Sequence, residues 1–332
     1  MIASYTVEAV FKKRYSPFKG FPGTTLRGAF GVALRRILCD REGASCRRCA
    51  RYNDCIYSRM FESSSIISPS VEVASKGGLE GVTNPYTVEV LHTSSTKLRF
   101  RLNLFGEALE WEPQVLVALV GMGMEGLGID PAKLERRKFE IVRIVREVEL
   151  GSGEEVYTAS SGFVNVGCKW RSRGLLEVFE DHARRIVEAR PRRILLAFKS
   201  PYRLVRKGRF VLKPRFPTVL MNLARRYTLL AAYHKAGRPL AVSEARRLKR
   251  IALSAELESY EITSRVRVTK IGVEGARSYG TFVLGTLTYA IPQSFWEQGE
   301  ALLATELLLL GEYLHVGKLA SAGYGDYELY YR

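Results

Sequence analysis

Residues 305–327 read TELLLLGEYLHVGKLASAGYGDY. The leucine-dominated start predicts the end of an apolar helix, and the aromatic run from Tyr327 to Tyr331 predicts a closing strand. Between them lies a glycine-rich loop, 315–325, with Gly317, Gly323 and Gly325 beside Lys318, Ser321, Ala322 and Tyr324. Where no Cβ stands in the way, backbone N–H groups can approach a bulky anion. Lys318 would add charge, and Tyr324 a flat face on which a base could stack. The plainer alternative is a helix capped at Gly317 and followed by a tight turn.

Upstream, the same pattern of elements occurs twice. Residues 3–12 alternate like a strand. Leu26, Phe30, Ala33, Leu34 and Ile37 recur at helical spacing, after Thr24 or Thr25 as a cap. Tyr86–Thr93 and Lys97–Phe105 predict paired strands, Pro113 starts a second helix, and Lys138–Leu150 predicts a strand. The C-terminal order is a strand at Arg193–Lys199, a hairpin within Arg203–Leu212 and a helix from Thr218. Strands at Tyr260–Ile271 and Thr281–Ala290 follow, then a helix from Gln293 to Leu314 and the closing strand. The expected fold class is α+β, with two tandem ferredoxin-like (RRM-like, β-α-β-β-α-β) domains. The first spans 1–150 and carries a cysteine cluster at 39–55. A connector and helix occupy 151–190, and the second domain spans 191–332. The polar stretch Ser63–Pro85 reads as an excursion from the first domain.

Net charge is +17 over 332 residues. From Arg184 to Arg250 there are 20 lysines and arginines against only Glu188 and Glu244, so this segment accounts for the excess. Such a surface repels itself unless a polyanion neutralises it, and nucleic acid is the first candidate. A membrane surface fits less well, because the segment is not one amphipathic helix. The longest apolar run, Leu302–Leu310, is broken by Glu306 and is too short to span a bilayer. With no leader-like N-terminus, a cytoplasmic location is expected. Asn and Gln together number only eight, a thermophile habit.

Cys39, Cys46, Cys49 and Cys55 cluster, while Cys168 stands apart. In a cytosolic chain this suggests metal before disulfides. Two residues between Cys46 and Cys49 let both sulfurs reach one tetrahedral ion, so structural zinc is the expectation. An iron–sulfur cluster, disulfides or plain thiols are the alternatives. Arg41, Arg47, Arg48 and Arg51 surround the cluster. Of the histidines, His92, His182 and His234 read as structural. His315, directly before the glycine loop, is a candidate general acid or base.

The helix TVLMNLARRYTLLAAY from Thr218, the strand from Gly280 to Tyr289 and the loop LHVGKLASAGYG ending at Gly325 resemble the C-terminal half of CRISPR pre-crRNA-processing endoribonucleases of the RAMP superfamily. The run LRGAFGVALR from Leu26, with the cysteines after it, is similar to a subgroup of that family. The resemblance implies two ferredoxin-like domains, a basic cleft and a glycine-rich loop before the last strand. It implies binding of CRISPR repeat RNA. It also implies cleavage by the 2′-hydroxyl beside the scissile phosphate, giving a 2′,3′-cyclic phosphate with no cofactor required for catalysis. Gly317, Lys318, Ser321, Ala322, Gly323, Tyr324 and Gly325 match the RNA-contacting loop. Arg225 and Arg226, in the basic segment, are further candidate RNA contacts. Many members carry a catalytic histidine on or near the first helix. Here that helix holds Arg27, Arg35 and Arg36 instead, and Tyr15 stands where a family tyrosine would. The candidate catalytic set is therefore Tyr15, Arg27, Arg35 and His315. Two other readings stay open: a non-catalytic RNA-binding subunit of a CRISPR effector complex, and a metal-stabilised scaffold for nucleic acid or a partner protein. Effector-complex subunits and a second copy of the chain are the protein partners to consider.

Overall fold

A computed structural model of the chain describes residues 1–40, 45–63, 70–71, 81–167, 173–272 and 275–332. Most of the Ser63–Pro85 stretch lies outside these residues, as do Arg41 and Cys168.

The first sheet has the order β2-β3-β1-β6-β7, with all neighbours antiparallel. Its strands are β1 (Ile2–Phe11), β2 (Tyr86–Thr93), β3 (Lys97–Phe105), β6 (Phe139–Val148) and β7 (Glu154–Thr158). Helices α1 (Gly23–Leu38) and α2 (Glu112–Glu125) cover one face, and a small hairpin, β4 (Leu127–Asp130) with β5 (Glu135–Arg137), follows α2. Alternation along β1 sends Tyr5, Val7 and Ala9 into a core with Leu26, Phe30 and Leu34 of α1 and Val115, Leu119 and Met122 of α2. Each large side chain buried this way contributes about 1.5–3 kcal/mol. Helix α1 starts at Gly23 behind Pro22 with no side-chain cap, rather than on a capping threonine, and Ile37 is exposed rather than buried. Strand β7 extends the first sheet into the stretch expected to be connector.

The second sheet has the order β11-β12-β8-β13, again antiparallel. It is built from β8 (Arg193–Phe198), β11 (Glu256–Gly272), β12 (Gly275–Ala290) and β13 (Tyr327–Tyr331). Leaving β7 aside, both sheets place their four strands in the order second, third, first, fourth, as the repeated β-α-β-β-α-β order requires. Helices α3 (Glu180–Ala189), α4 (Phe216–His234), α5 (Val242–Ala252), α6 (Gln293–Trp296) and α7 (Ala301–Leu314) accompany this sheet. Leu223 and Leu230 of α4 meet Leu307 and Leu310 of α7 over Leu196 and Leu287. The helix expected from Gln293 to Leu314 is broken between Trp296 and Ala301. A short hairpin, β9 (Val205–Arg206) with β10 (Arg209–Phe210), precedes α4.

The halves meet across the polar face of the first sheet. Ser4 donates to Asn103 Oδ1 at 2.6 Å, and Asn103 Nδ2 donates to Glu89 at 2.8 Å. Thr87 Oγ1 crosses to the carbonyl of Tyr313, near the end of α7, at 2.6 Å. Glu107 sits in a second buried seam, 2.9 Å from His234 Nδ1, and accepts from Arg59 Nε at 3.1 Å. Burial would raise its carboxyl, but these two partners outweigh burial and hold it below the usual value. No helix among the described residues is long and apolar enough to cross a membrane.

Candidate nucleic-acid interface

The glycine-rich loop begins where α7 stops. His315 takes φ +60°, and its N–H still reaches Gly311 O at 2.8 Å. The N–H groups of the loop's three glycines and of Lys318 are then spent on protein acceptors. Gly317 donates to Asn222 Oδ1 at 2.8 Å, Lys318 to Arg203 O at 3.0 Å, Gly323 to Ala320 O at 2.9 Å and Gly325 to Pro201 O at 3.0 Å. Its glycines therefore serve close backbone packing, not the open anion cradle expected from the sequence. The loop wedges between the halves. A β-carbon on Gly23, at the start of α1, would lie 1.9 Å from Ala322 O.

Side chains follow the same logic. The Tyr324 ring is buried, edge-on to Phe21 at 4.8 Å and tilted against Phe282 at 4.9 Å, so its faces are covered and not open to a base. Burial pushes its hydroxyl up to about 12, against a hydrogen bond with Thr24. Ala322 and Gly323 are buried, Ser321 is half-buried and Lys318 is exposed.

His315 is 0% exposed. Its Nδ1 pairs with Ala320 O at 3.1 Å, and its Nε2 faces Glu89 Oε1 at 3.8 Å. Burial would raise the Glu89 carboxyl, yet His315, Arg101 and Lys199 hold it below its usual value. Asp326, also facing this cluster, is pushed up to about 6 by burial, with His315 and Lys199 opposing. His315 is thus a seam residue, with no open path to a substrate atom.

The other candidate catalytic residues occupy separate environments. Tyr15 is buried. Its hydroxyl donates to Arg136 O at 3.4 Å and accepts the Lys138 N–H at 3.2 Å. Arg27 lies over the Phe61 ring at 5.2 Å and donates to Phe61 O at 3.4 Å, beside the buried Tyr86 hydroxyl. Arg35 lies over the Tyr57 ring at 5.7 Å and sits next to Cys39 and Cys46. No described hydrogen bond or ion pair joins these residues into one acid–base set. Arg225 donates to Gly81 O at 3.2 Å and Arg226 to Leu314 O at 2.8 Å. Burial, with Arg225 nearby, lowers Arg226 to about 9. Both arginines are half-buried and tie α4 to its neighbours.

The surface able to meet phosphate lies beside these residues, in a feature the sequence did not single out. Arg206, Lys207, Arg209, Lys213 and Arg215 line an open cavity of ≈ 580 Å³ formed by the β9–β10 hairpin and the approach to α4. All five are exposed, and no described ion pair joins any of them to a carboxylate. Lys213 reaches over the Tyr260 ring at 4.6 Å. Helix α4 starts here without a side-chain cap, so its N-terminal N–H groups add to the positive field. Arg203 links this patch to the glycine loop. Its carbonyl takes the Lys318 N–H, and its guanidinium lies over Phe210 at 5.0 Å. The Arg184–Arg250 charge run was the available signal. Which of its cations remain free was not readable, because burial is not a property of charge count.

Cys39, Cys46, Cys49 and Cys55 all line one cavity of ≈ 30 Å³ at the C-terminal end of α1. As they stand, no group of three or more His, Cys, Asp or Glu among the described residues is arranged to hold a metal ion. Burial raises the Cys46 thiol, as does Glu62, with Arg35 opposing.

Two ferredoxin-like halves are thus joined at a glycine-rich wedge, with a cationic cavity beside it. A model of CRISPR-associated endoribonuclease Cas6 matches residues 196–327, and a family model described as an N-terminal domain matches residues 1–167. The second half of the chain is thus similar to the Cas6 family. An uncharacterized protein of Archaeoglobus fulgidus is 26% identical over 148 residues, which is 43% of this chain and 45% of that protein. The match thus spans less than half the length of this curated relative. A Cas6 product complex aligns over 99% of this chain and 100% of its own, with TM-score 0.55 and 16% identity. Thermus thermophilus Cas6 aligns over 99% and 98%, with TM-score 0.51 and 14% identity. These likenesses show a shared fold.

Proposed function

We propose that this protein binds CRISPR repeat RNA and processes the precursor transcript as an endoribonuclease. The observation that carries the reading is the cavity of ≈ 580 Å³ with five exposed, carboxylate-free cations, joined through Arg203 to the loop that bears Lys318. Phosphate contacts by Lys and Arg supply most non-specific RNA affinity. In the proposed reaction the 2′-oxygen attacks the adjacent phosphorus and the 5′-oxygen leaves. The products are a 2′,3′-cyclic phosphate and a 5′-hydroxyl. Lys318 and the hairpin cations can align the phosphodiester and stabilise charge on the phosphorane. Arginine stays protonated and makes a poor base, so catalysis by position and charge alone predicts a slow enzyme.

A second reading, a non-catalytic RNA-binding subunit, is favoured by one observation. Tyr15 and His315 are both buried in separate contacts. Labelled repeat RNA incubated with the protein in chelator separates the two. Cyclic-phosphate ends that vanish when the 2′-hydroxyl at the cut site is replaced by hydrogen support the enzyme. Tight binding with intact RNA over hours supports the second reading and overturns the first. Equal affinity for unrelated duplex DNA defeats both and favours the scaffold reading.

A further inference from the structure

We infer that Cys39, Cys46, Cys49 and Cys55 form a metal site that takes one zinc ion on four sulfurs, clasping the end of α1 to the segment that follows it. Spacing along the chain suggests the donors; the structure adds that all four meet one cavity. Cys39 directly follows α1, with its N–H on Arg35 O at 2.8 Å, so its backbone is fixed by the helix. Cys46 and Cys49 flank a single helical turn closed by the Cys49 N–H on Cys46 O at 3.1 Å. That turn presents both sulfurs to the same side. Cys55 is held from both directions: its N–H reaches Arg51 O at 3.0 Å, and its carbonyl takes the Arg59 N–H at 3.0 Å.

The cavity of ≈ 30 Å³ has room for a single water-sized occupant such as one ion. The chemistry of the donors agrees, since four thiolates are a closed structural set for zinc, leaving no position for substrate. Arg35, beside Cys39 and Cys46, offsets the negative charge of that set. To coordinate, the sulfurs must close to about 2.3 Å from the ion, and metal binding supplies the free energy for that convergence.

The clasp has a structural consequence. Just after Cys55, the turn Ser58–Glu62 puts Phe61 against Phe30 at 5.4 Å and Arg59 onto Glu107 in the seam between the halves. An ion at the cysteines would therefore fix a plug of the first core and one anchor of the seam. This inference stands apart from RNA binding and survives if that reading fails.

The test uses the full chain purified without chelator. Elemental analysis is expected to give about one zinc per chain, with little iron. The C46S/C49S double variant should lose the zinc, and Cys168→Ser should keep it. Because the double variant could fold poorly, cobalt replaces zinc in the wild-type chain as an independent readout. Thiolate-to-cobalt charge transfer with strong tetrahedral d–d bands supports the site. Chelator should also lower the melting temperature of the wild-type chain. The inference is overturned by a metal-free chain whose cysteines all react freely with a thiol reagent even after zinc is supplied. A disulfide within the cluster, or an iron–sulfur chromophore, overturns it equally.

Discussion

At Gly325 a β-carbon would lie 1.9 Å from Val316 O, and φ is +76°. Both facts forbid a side chain, and neither involves a ligand. The sequence marked this glycine as important, but a missing Cβ can serve an approaching anion or an approaching carbonyl, and residue type alone does not choose. Here the carbonyl wins. Gly325→Ala is expected to cost about 3 kcal/mol, through left-handed strain plus the clash, read as a lowered urea midpoint with an unchanged slope. A near-neutral result would show that the loop is not packed as described. The same ambiguity governs Tyr324 and Lys318, which the sequence paired as RNA contacts. Tyr324 is buried against Phe21 and Phe282, so Tyr324→Ala should cost about 3 kcal/mol of stability by opening a cavity. Lys318→Ala should leave the melting temperature unchanged and weaken RNA binding several-fold. Equal thermal losses for both variants would contradict this division.

Elements were more legible than residues, because periodicity reports which face is buried. Nearly every strand and helix of the two β-α-β-β-α-β units was readable this way. The failures have physical causes. Strands β11 and β12 run from Glu256 to Gly272 and from Gly275 to Ala290, longer than their pattern suggested. Only Thr286–Ala290 of β12 pairs with β8, and beyond it the two strands run on as a ribbon whose Val268 and Phe282 pack on Tyr324, apart from the main core. Helix α7 hides a different feature. Glu306 interrupts its leucines and lies buried near α3. Burial first, then Glu180 and Glu177, raise its carboxyl from 4.5 to about 7, with Arg184 opposing. A folded-state value above the unfolded one means the neutral acid is tolerated and the carboxylate is not. Its contribution is fully present below pH 4.5 and is lost as pH rises through about 7. Glu306→Gln removes that loss. The variant should match wild type near pH 5 and melt about 2 °C higher at pH 8. Parallel melting curves for the two proteins across this range would rule the assignment out.

For the whole molecule, the sequence supplied the two halves but not their docking. Beside apolar contacts such as Phe21 on Tyr324, the seam carries polar chains, one through Ser4, Asn103, Glu89 and Thr87 to the carbonyl of Tyr313 and one of Glu107 with His234 and Arg59. No hydrophobic periodicity announces such a surface. Its formation buries His315 and leaves Arg225 and Arg226 half-buried, three of the residues that looked functional. What docking leaves outside is the β9–β10 hairpin, with Arg206, Lys207 and Arg209 exposed around its turn. If RNA follows this surface, each phosphate contact releases counterions, and log affinity falls with log salt by about 0.7 per contact for a single strand and 0.9 for a duplex. The triple variant R206E/K207E/R209E should therefore bind repeat RNA at least about tenfold more weakly near 0.1 M salt, with a shallower salt slope. Its melting temperature should hold, because these side chains support no packing or ion pair in the fold. The slope is the decisive reading. A drop in affinity with the original slope would mean that long-range repulsion, not lost contact, weakened binding. An unchanged affinity would place the RNA elsewhere on the molecule.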